Sequence, residues 1–297
     1  MVQPGPADGF GSPDSSQPAA DGALPTPVPT TYIADFRITK RLGHGGSFML
    51  ATPPERLGDV GGQIVLKVFP TEIAANDESA VTALTEALRA IAAVHSDYLV
   101  QMIEAGRNQG VFYCAMEYLA GGSLAEPSIP LTMGEAVRAV ANAARGAHAL
   151  HDAGIPHRNI HPAGIILHAD GAKLADPGLA SYLNPGMTLT GRLGVPEVDF
   201  ISPEIIRGLP ASRATDVWSL GATLHYVASG KSIFPNLDRS NPVASLSAVL
   251  NTPPTIAEGL PQPVDQIVRQ CIDPHHPDRP SSAGDLADRL DELWKRS

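Results

Sequence analysis

From Phe36 to Phe69 the apolar residues fall in short clusters rich in aromatic and β-branched side chains. Phe36–Leu42 reads as a strand, Gly43-His44-Gly45-Gly46 interrupts it, Phe48–Ala51 resumes as a short strand, and Ile64–Phe69 is a third. The period then changes. Val81, Leu84, Leu88, Ile91 and Val94 recur at three- and four-residue steps, which predicts an amphipathic helix over 77–95. Two more strands are predicted near 99–105 and 111–116. This first third reads β-β-β-α-β-β, a five-stranded sheet with one helix.

Beyond it the helical period dominates. Thr132-x-x-Glu135 is a capping box that opens a helix carrying Val137, Val140, Ala144, Ala147 and Leu150 on one face, with Gly154 placed to end it. Short strands are expected at 164–167 and 173–175, and helices near 203–208, 214–229, 242–250, 262–271 and 282–295. A small β-rich half joined to a larger helical half predicts an α+β, two-lobed fold, and crevices between such lobes commonly bind nucleotides.

Residues 1–31 stand apart from this patterning. Pro4, Pro6, Pro13, Pro18, Pro25, Pro27 and Pro29 are interspersed with Gly and Ser, and the segment has no Lys or Arg. It cannot bury enough apolar area to offset chain entropy, so a disordered tail is expected, and its exposed hydroxyls are no more than generic phosphate acceptors.

The chain of 297 residues is long enough for one two-lobed domain with a substantial core, and its net charge of −10 argues against a nucleic-acid or anionic-membrane surface, where a basic patch is expected. Cys114 and Cys271 each sit in an apolar setting and read as buried thiols of a reducing compartment. The N-terminus shows no basic and apolar signal-peptide pattern. The most apolar helical stretch, 137–150, is broken by Arg138 and Arg145 and is too short to span a bilayer. A cytoplasmic protein without a transmembrane segment is expected.

Several short motifs carry candidate chemistry: Leu42-Gly43-His44-Gly45-Gly46, Val65-Leu66-Lys67-Val68, Met116-Glu117-Tyr118-Leu119, His157-Arg158-Asn159-Ile160-His161-Pro162-Ala163-Gly164, Asp176-Pro177-Gly178, Ser202-Pro203-Glu204, Asp216-Val217-Trp218 and Arg279-Pro280. In this order, across residues 32–297, they resemble the motifs of a protein kinase of the bacterial serine/threonine type. The resemblance implies an N-lobe over 32–116, a hinge over 117–123 and a C-lobe over 124–297. It implies that Gly43, Gly45 and Gly46 open a phosphate-covering loop, shortened here because Ser47-Phe48 stands near the usual third glycine. Lys67 matches the lysine that holds the α- and β-phosphates, and Glu86 on the following helix matches its acidic partner, with Asp77 and Glu78 as rivals. Met116 matches the gatekeeper, and the backbone of Glu117 and Leu119 would meet an adenine. Asp176 matches the metal-binding aspartate. His157, Glu204, Asp216 and Arg279 match residues that hold the large lobe together.

The resemblance is broken where phosphate transfer is carried out. Asn159 stands in the place of the aspartate that accepts the substrate proton, His161 in that of a lysine, Gly164 in that of a metal-binding asparagine, and Val195 in that of a threonine that touches the catalytic loop. An amide cannot accept the proton, and general-base help is worth about 10²–10⁴ in rate. A neutral histidine supplies little charge to a phosphoryl group, and glycine supplies no ligand. Each such electrostatic loss costs about 2–4 kcal/mol, without simple additivity. The reading that follows is a pseudokinase, a signalling or scaffold module with residual, weak ATP binding and at most one Mg²⁺. An active serine/threonine kinase or an AMP transferase with an atypical loop is the alternative. Partners implied are a genuine serine/threonine kinase and a phosphothreonine-binding domain. Thr188 and Thr190 lie in the activation-segment equivalent, and Arg158 matches the arginine that pairs with a phosphate there.

Overall fold

Strands form where the aromatic and β-branched clusters lie: β1 (Tyr32–Ile33), β2 (Phe36–Leu42), β3 (Phe48–Thr52), β4 (Ile64–Phe69), β5 (Met102–Asn108) and β6 (Val111–Glu117). The computed structural model describes residues 31–43, 47–69, 78–178 and 195–295. The tail expected at 1–31 therefore lies outside the described residues, Thr31 excepted.

Among the described residues the six strands form one antiparallel sheet in the order β1-β2-β3-β4-β6-β5. The sixth strand is β1, a two-residue extension that folds back on β2 through Ala34, whose φ of 52° turns the chain. Alternation along the strands separates two apolar faces. Phe36, Ala51, Ile64, Leu66, Tyr113 and Ala115 cluster on one, and Phe69, Phe112, Cys114 and Met116 on the other. The second face is covered by α1 (Glu78–Ala92) through buried Leu84 and Leu88.

β5 begins at Met102, not near 99, because Leu99 and Val100 are drawn to the other lobe. Val100 N–H donates to Leu174 O at 2.9 Å, and Leu174 N–H donates to Tyr98 O at 2.8 Å. This strap passes so close to helix α2 (Met133–Asp152) that a Cβ on Gly146 would lie 2.6 Å from Tyr98 O. α2 opens with the expected capping box between Thr132 and Glu135, and Gly154 follows its end at φ 77°, a conformation that glycine adopts without strain.

The larger lobe continues with the hairpin β7 (Ile165–His168) and β8 (Gly171–Leu174), then α3 (Pro203–Ile206), α4 (Arg213–Ser229), α5 (Pro242–Asn251), α6 (Gln262–Cys271) and α7 (Ala283–Trp294). α4 is buried on every side from Thr215 to His225, which is why its sequence shows so little apolar periodicity. Its core neighbours include Val137, Val140 and Leu150 of α2, Val268 of α6 and Leu286 and Leu290 of α7. Cys114 and Cys271 are buried and unpaired, and burial pushes both thiols up to about 12. Among the described residues no helix is long and apolar enough to cross a membrane.

Candidate active site

The cleft between the lobes is assembled from β4, the end of β6, the loop 157–164 and the segment after β8. Lys67 sits on β4 between Phe48 of β3 and Cys114 of β6. Its ammonium lies 5.4 Å from the Phe48 ring centroid and 5.2 Å from that of Phe69, so its apolar stem is enclosed while its charge needs a partner. That partner is Asp176. The Lys67 Nζ–Asp176 Oδ1 ion pair joins the lobes, and both side chains are only 12% exposed.

The expected pairing of Lys67 with Glu86 is therefore corrected. Glu86 is exposed on α1. Leu84 and Leu88 anchor this helix to the sheet, and a residue two positions away lies about 200° around the axis, on the opposite face. Of the rivals, Asp77 and the side chain of Glu78 lie outside the described residues.

Asp176 holds a left-handed backbone, φ 60°, uncommon for a residue with a side chain and frequent at functional sites. Asn159 Nδ2 donates to its backbone oxygen and to Oδ2, each at 3.4 Å. The carboxylate is thus engaged on both oxygens, by an ammonium and by an amide. Asn159 points its donor at the residue that would hold a metal, and it offers no carboxylate to a substrate hydroxyl.

His161 is buried, 9% exposed. Burial lowers its pKa, against the raising influence of Asp176 and with the lowering influence of Lys67, so the ring is neutral near pH 7. A Cβ on Gly164 would lie 3.5 Å from His161 Nε2, so the imidazole borders the space that a side chain at 164 would take. The ligand set does not fit a pair of magnesium ions. Mg²⁺ demands oxygen donors in near-octahedral geometry, whereas here one carboxylate is already paired, position 164 offers none, and the nearest added donor is an imidazole nitrogen.

The supporting frame is complete. Asp216 accepts from His157 N–H at 2.7 Å and Arg158 N–H at 2.9 Å, and His151 Nε2 lies 2.7 Å from it. His157 Nε2 lies 3.1 Å from Ala175 O, which ties the loop to the strand before Asp176. Full burial lowers the His157 pKa to about 4. Arg279 donates to Glu204 Oε1 at 2.5 Å, to Asp273 O at 2.9 Å and to Ala214 O at 3.0 Å, with its guanidinium over the Trp218 ring. His151 was not singled out in the sequence; the signal available was a polar residue on the inward face of an apolar helix.

At the hinge, Met116 is buried at the end of β6. Glu117 has a side chain occupied elsewhere: Oε1 accepts from Lys173 Nζ at 2.8 Å and from Gln101 N–H at 2.7 Å, a second tie between lobes. Leu119 is half-buried beside exposed Tyr118. A cavity of about 270 Å³ is lined by Lys67, Asp176, Met116, Ile91, His95 and Leu99, so it reaches the ion pair from the α1 side and not from the hinge. Gly43 ends β2 with φ 64°. Gly45 and Gly46 lie outside the described residues, as do Thr188 and Thr190 and the side chain of Val195. Arg158 holds a left-handed backbone, φ 71°.

The geometry agrees with comparisons to known proteins. The family model described as the protein kinase domain matches residues 37–290. A probable serine/threonine-protein kinase of Thermomonospora curvata, PkwA, is 29% identical over 262 residues, covering 86% of this chain and 34% of that protein. The serine/threonine-protein kinase AfsK of Streptomyces griseus is 29% identical over 254 residues, covering 82% of this chain and 30% of that protein. The chain thus spans about a third of the length of these curated relatives. The crystal structure of the Mycobacterium tuberculosis PknI kinase domain superimposes with a TM-score of 0.65 at 21% identity, covering 89% of this chain and 98% of that one.

Proposed function

Because the chain belongs to the protein kinase family, we propose that it is a catalytically impaired member whose cleft binds nucleotide weakly and whose surface serves signalling or scaffolding. The observation that carries this reading is the arrangement around Asp176: Lys67 on one oxygen, the Asn159 amide on the other, a neutral His161 and no side chain at 164. Among the described residues, a phosphoryl group entering this cleft meets Lys67, already paired with Asp176, and an amide at 159 where a carboxylate would accept the proton. Phosphoryl transfer depends on fixed charge and positioning, so the frame survives while the chemistry does not.

Nucleotide binding is retained on this reading because Lys67 can exchange Asp176 for the phosphates. Purified protein incubated with γ- and α-labelled ATP should transfer neither label, while millimolar ADP or ATP should raise the melting temperature by a few degrees. Steady transfer of either label would overturn the impairment. A triple variant, Asn159→Asp/His161→Lys/Gly164→Asn, should gain phosphoryl transfer if the frame is otherwise sound. A signalling role is supported by Arg158, at the position that faces an activation-segment phosphate in the family. Phosphosite mapping after incubation with active serine/threonine kinases should find Thr188 or Thr190 modified and bound by a phosphothreonine-reading domain.

A further inference from the structure

Away from the cleft, one buried side chain binds two loops at once. His225 lies near the C-terminal end of α4, removed from solvent. Its Nδ1 is 3.0 Å from Lys231 O, in the turn that follows the helix. Its Nε2 accepts from Ala257 N–H at 2.9 Å, in the connection between α5 and α6. A carbonyl oxygen can only accept and an amide N–H can only donate, so these partners fix a neutral ring with its proton on Nδ1. The turn has further ties of its own: Ser229 Oγ donates to His225 O at 2.7 Å, and Lys231 N–H donates to Ser229 Oγ at 3.1 Å. The connection is held by the Ala257 bond, by Thr255 N–H donating to Ile233 O at 2.7 Å, and by half-buried Ile256 against the larger core.

We propose that His225 is a proton-operated latch on the connection 252–257. A proton added at Nε2 turns the acceptor into a donor, so N–H faces N–H and the Ala257 bond is exchanged for repulsion. The bond to Lys231 O survives, because Nδ1 keeps its hydrogen. The connection therefore opens while the turn stays, and the core beneath Ile256 becomes accessible. The surroundings set the latch to open below neutral pH. Burial lowers the His225 pKa, the Lys231 carbonyl raises it, and the Lys231 ammonium lowers it. Other charged groups near α4 are engaged or turned outward. Asp199 is held by Arg239 and Ser232, Asp265 of α6 by Arg269, and Arg145 of α2 by Asp288 and Asp291 of α7. Asp216 and His151 pair at the other end of α4, and Glu258, next to Ala257, is exposed. The folded pKa lies below the ordinary 6.5, so the closed latch is fully present above about pH 6.5 and is lost as pH falls from there toward the lowered value.

Hydrogen exchange of the full chain, followed by mass spectrometry, reads the latch directly. Corrected for the intrinsic pH dependence of exchange, the amides of 255–259 should exchange about tenfold faster at about pH 5.5 than at about pH 7.5, while those of α4 and of the turn 230–234 keep their protection. His225→Gln carries one donor and one acceptor at every pH and should remove the pH dependence. Should that variant fail to fold, the ring nitrogen shifts of wild-type protein labelled with ¹⁵N-histidine decide. His225 should show the Nδ1–H tautomer at neutral pH and titrate in step with the opening of 255–259. An Nε2–H tautomer, exchange at 255–259 that ignores pH, or a pH dependence that persists in His225→Gln would overturn the latch. So would loss of protection in α4 at the same pH, which would assign the change to the whole lobe.

Discussion

Asp216 is almost wholly removed from water, and three polar groups make that tolerable. His157 N–H and Arg158 N–H donate to its two oxygens, and His151 Nε2 lies within hydrogen-bond distance. Asp216→Ala strands two backbone donors and should lower the unfolding free energy by about 2–5 kcal/mol in urea titrations. Asp216→Asn keeps one acceptor oxygen and should cost less. His157 gives a pH signature. Its pKa in the folded chain, lowered to about 4 by burial, lies below the ordinary 6.5, so the proton binds the unfolded chain more tightly. Stability is fully present above about pH 6.5 and is lost as pH falls from there toward 4, by about 3 kcal/mol from this residue. His161 and His225 are lowered by burial as well and share the window. Urea midpoints at pH 7, 6, 5 and 4.5 should decline steadily, and the slope should flatten in part in His157→Asn. An unchanged slope would mean that His157 is hydrated in the native state.

At the scale of the element, helix α1 shows how a correct period still leaves a side chain misassigned. The three- and four-residue spacing of Leu84, Leu88 and Ile91 is visible in the sequence, and these residues do face the sheet and the strap below it. The same spacing places Glu86 on the outer face. Leu84→Ala should cost about 2–5 kcal/mol because the side chain is fully buried. Glu86→Ala should change stability by no more than about 0.5 kcal/mol and leave the ADP-induced thermal shift intact. Loss of that shift in Glu86→Ala would show that α1 rotates inward when nucleotide binds. The strap at Leu99–Val100 teaches a related lesson. Its β-forming sequence extends the expected strand to 99, yet Val100 N–H donates to Leu174 O, Leu174 N–H donates to Tyr98 O, and the sheet begins later.

For the whole molecule the decisive contacts cross the cleft. Lys67 to Asp176 and Glu117 to Lys173 each join one lobe to the other, and all four side chains are largely buried. A double-mutant cycle with Lys67→Met and Asp176→Asn should give a coupling of about 0.5–3 kcal/mol without ligand. Saturating ADP should shrink it, since the phosphates compete for Lys67. Zero coupling in the free protein would mean that the pair does not form in solution.

The order of strands and helices, the capping box at Thr132, the stop at Gly154 and the positions of His157, Asp216, Glu204 and Arg279 were all legible in the sequence. These features depend on residues a few places apart, whose periodicity and backbone preferences act locally, or on motifs whose order survives along the chain. The partner of Lys67, the turning outward of Glu86 and the nearness of His161 to the empty position at Gly164 were not. Lys67 and Asp176 are separated by 109 positions, and which anion a buried cation meets is set by how two lobes pack and what they exclude from water. Local chemistry wrote the elements; desolvation across the cleft chose the pairs.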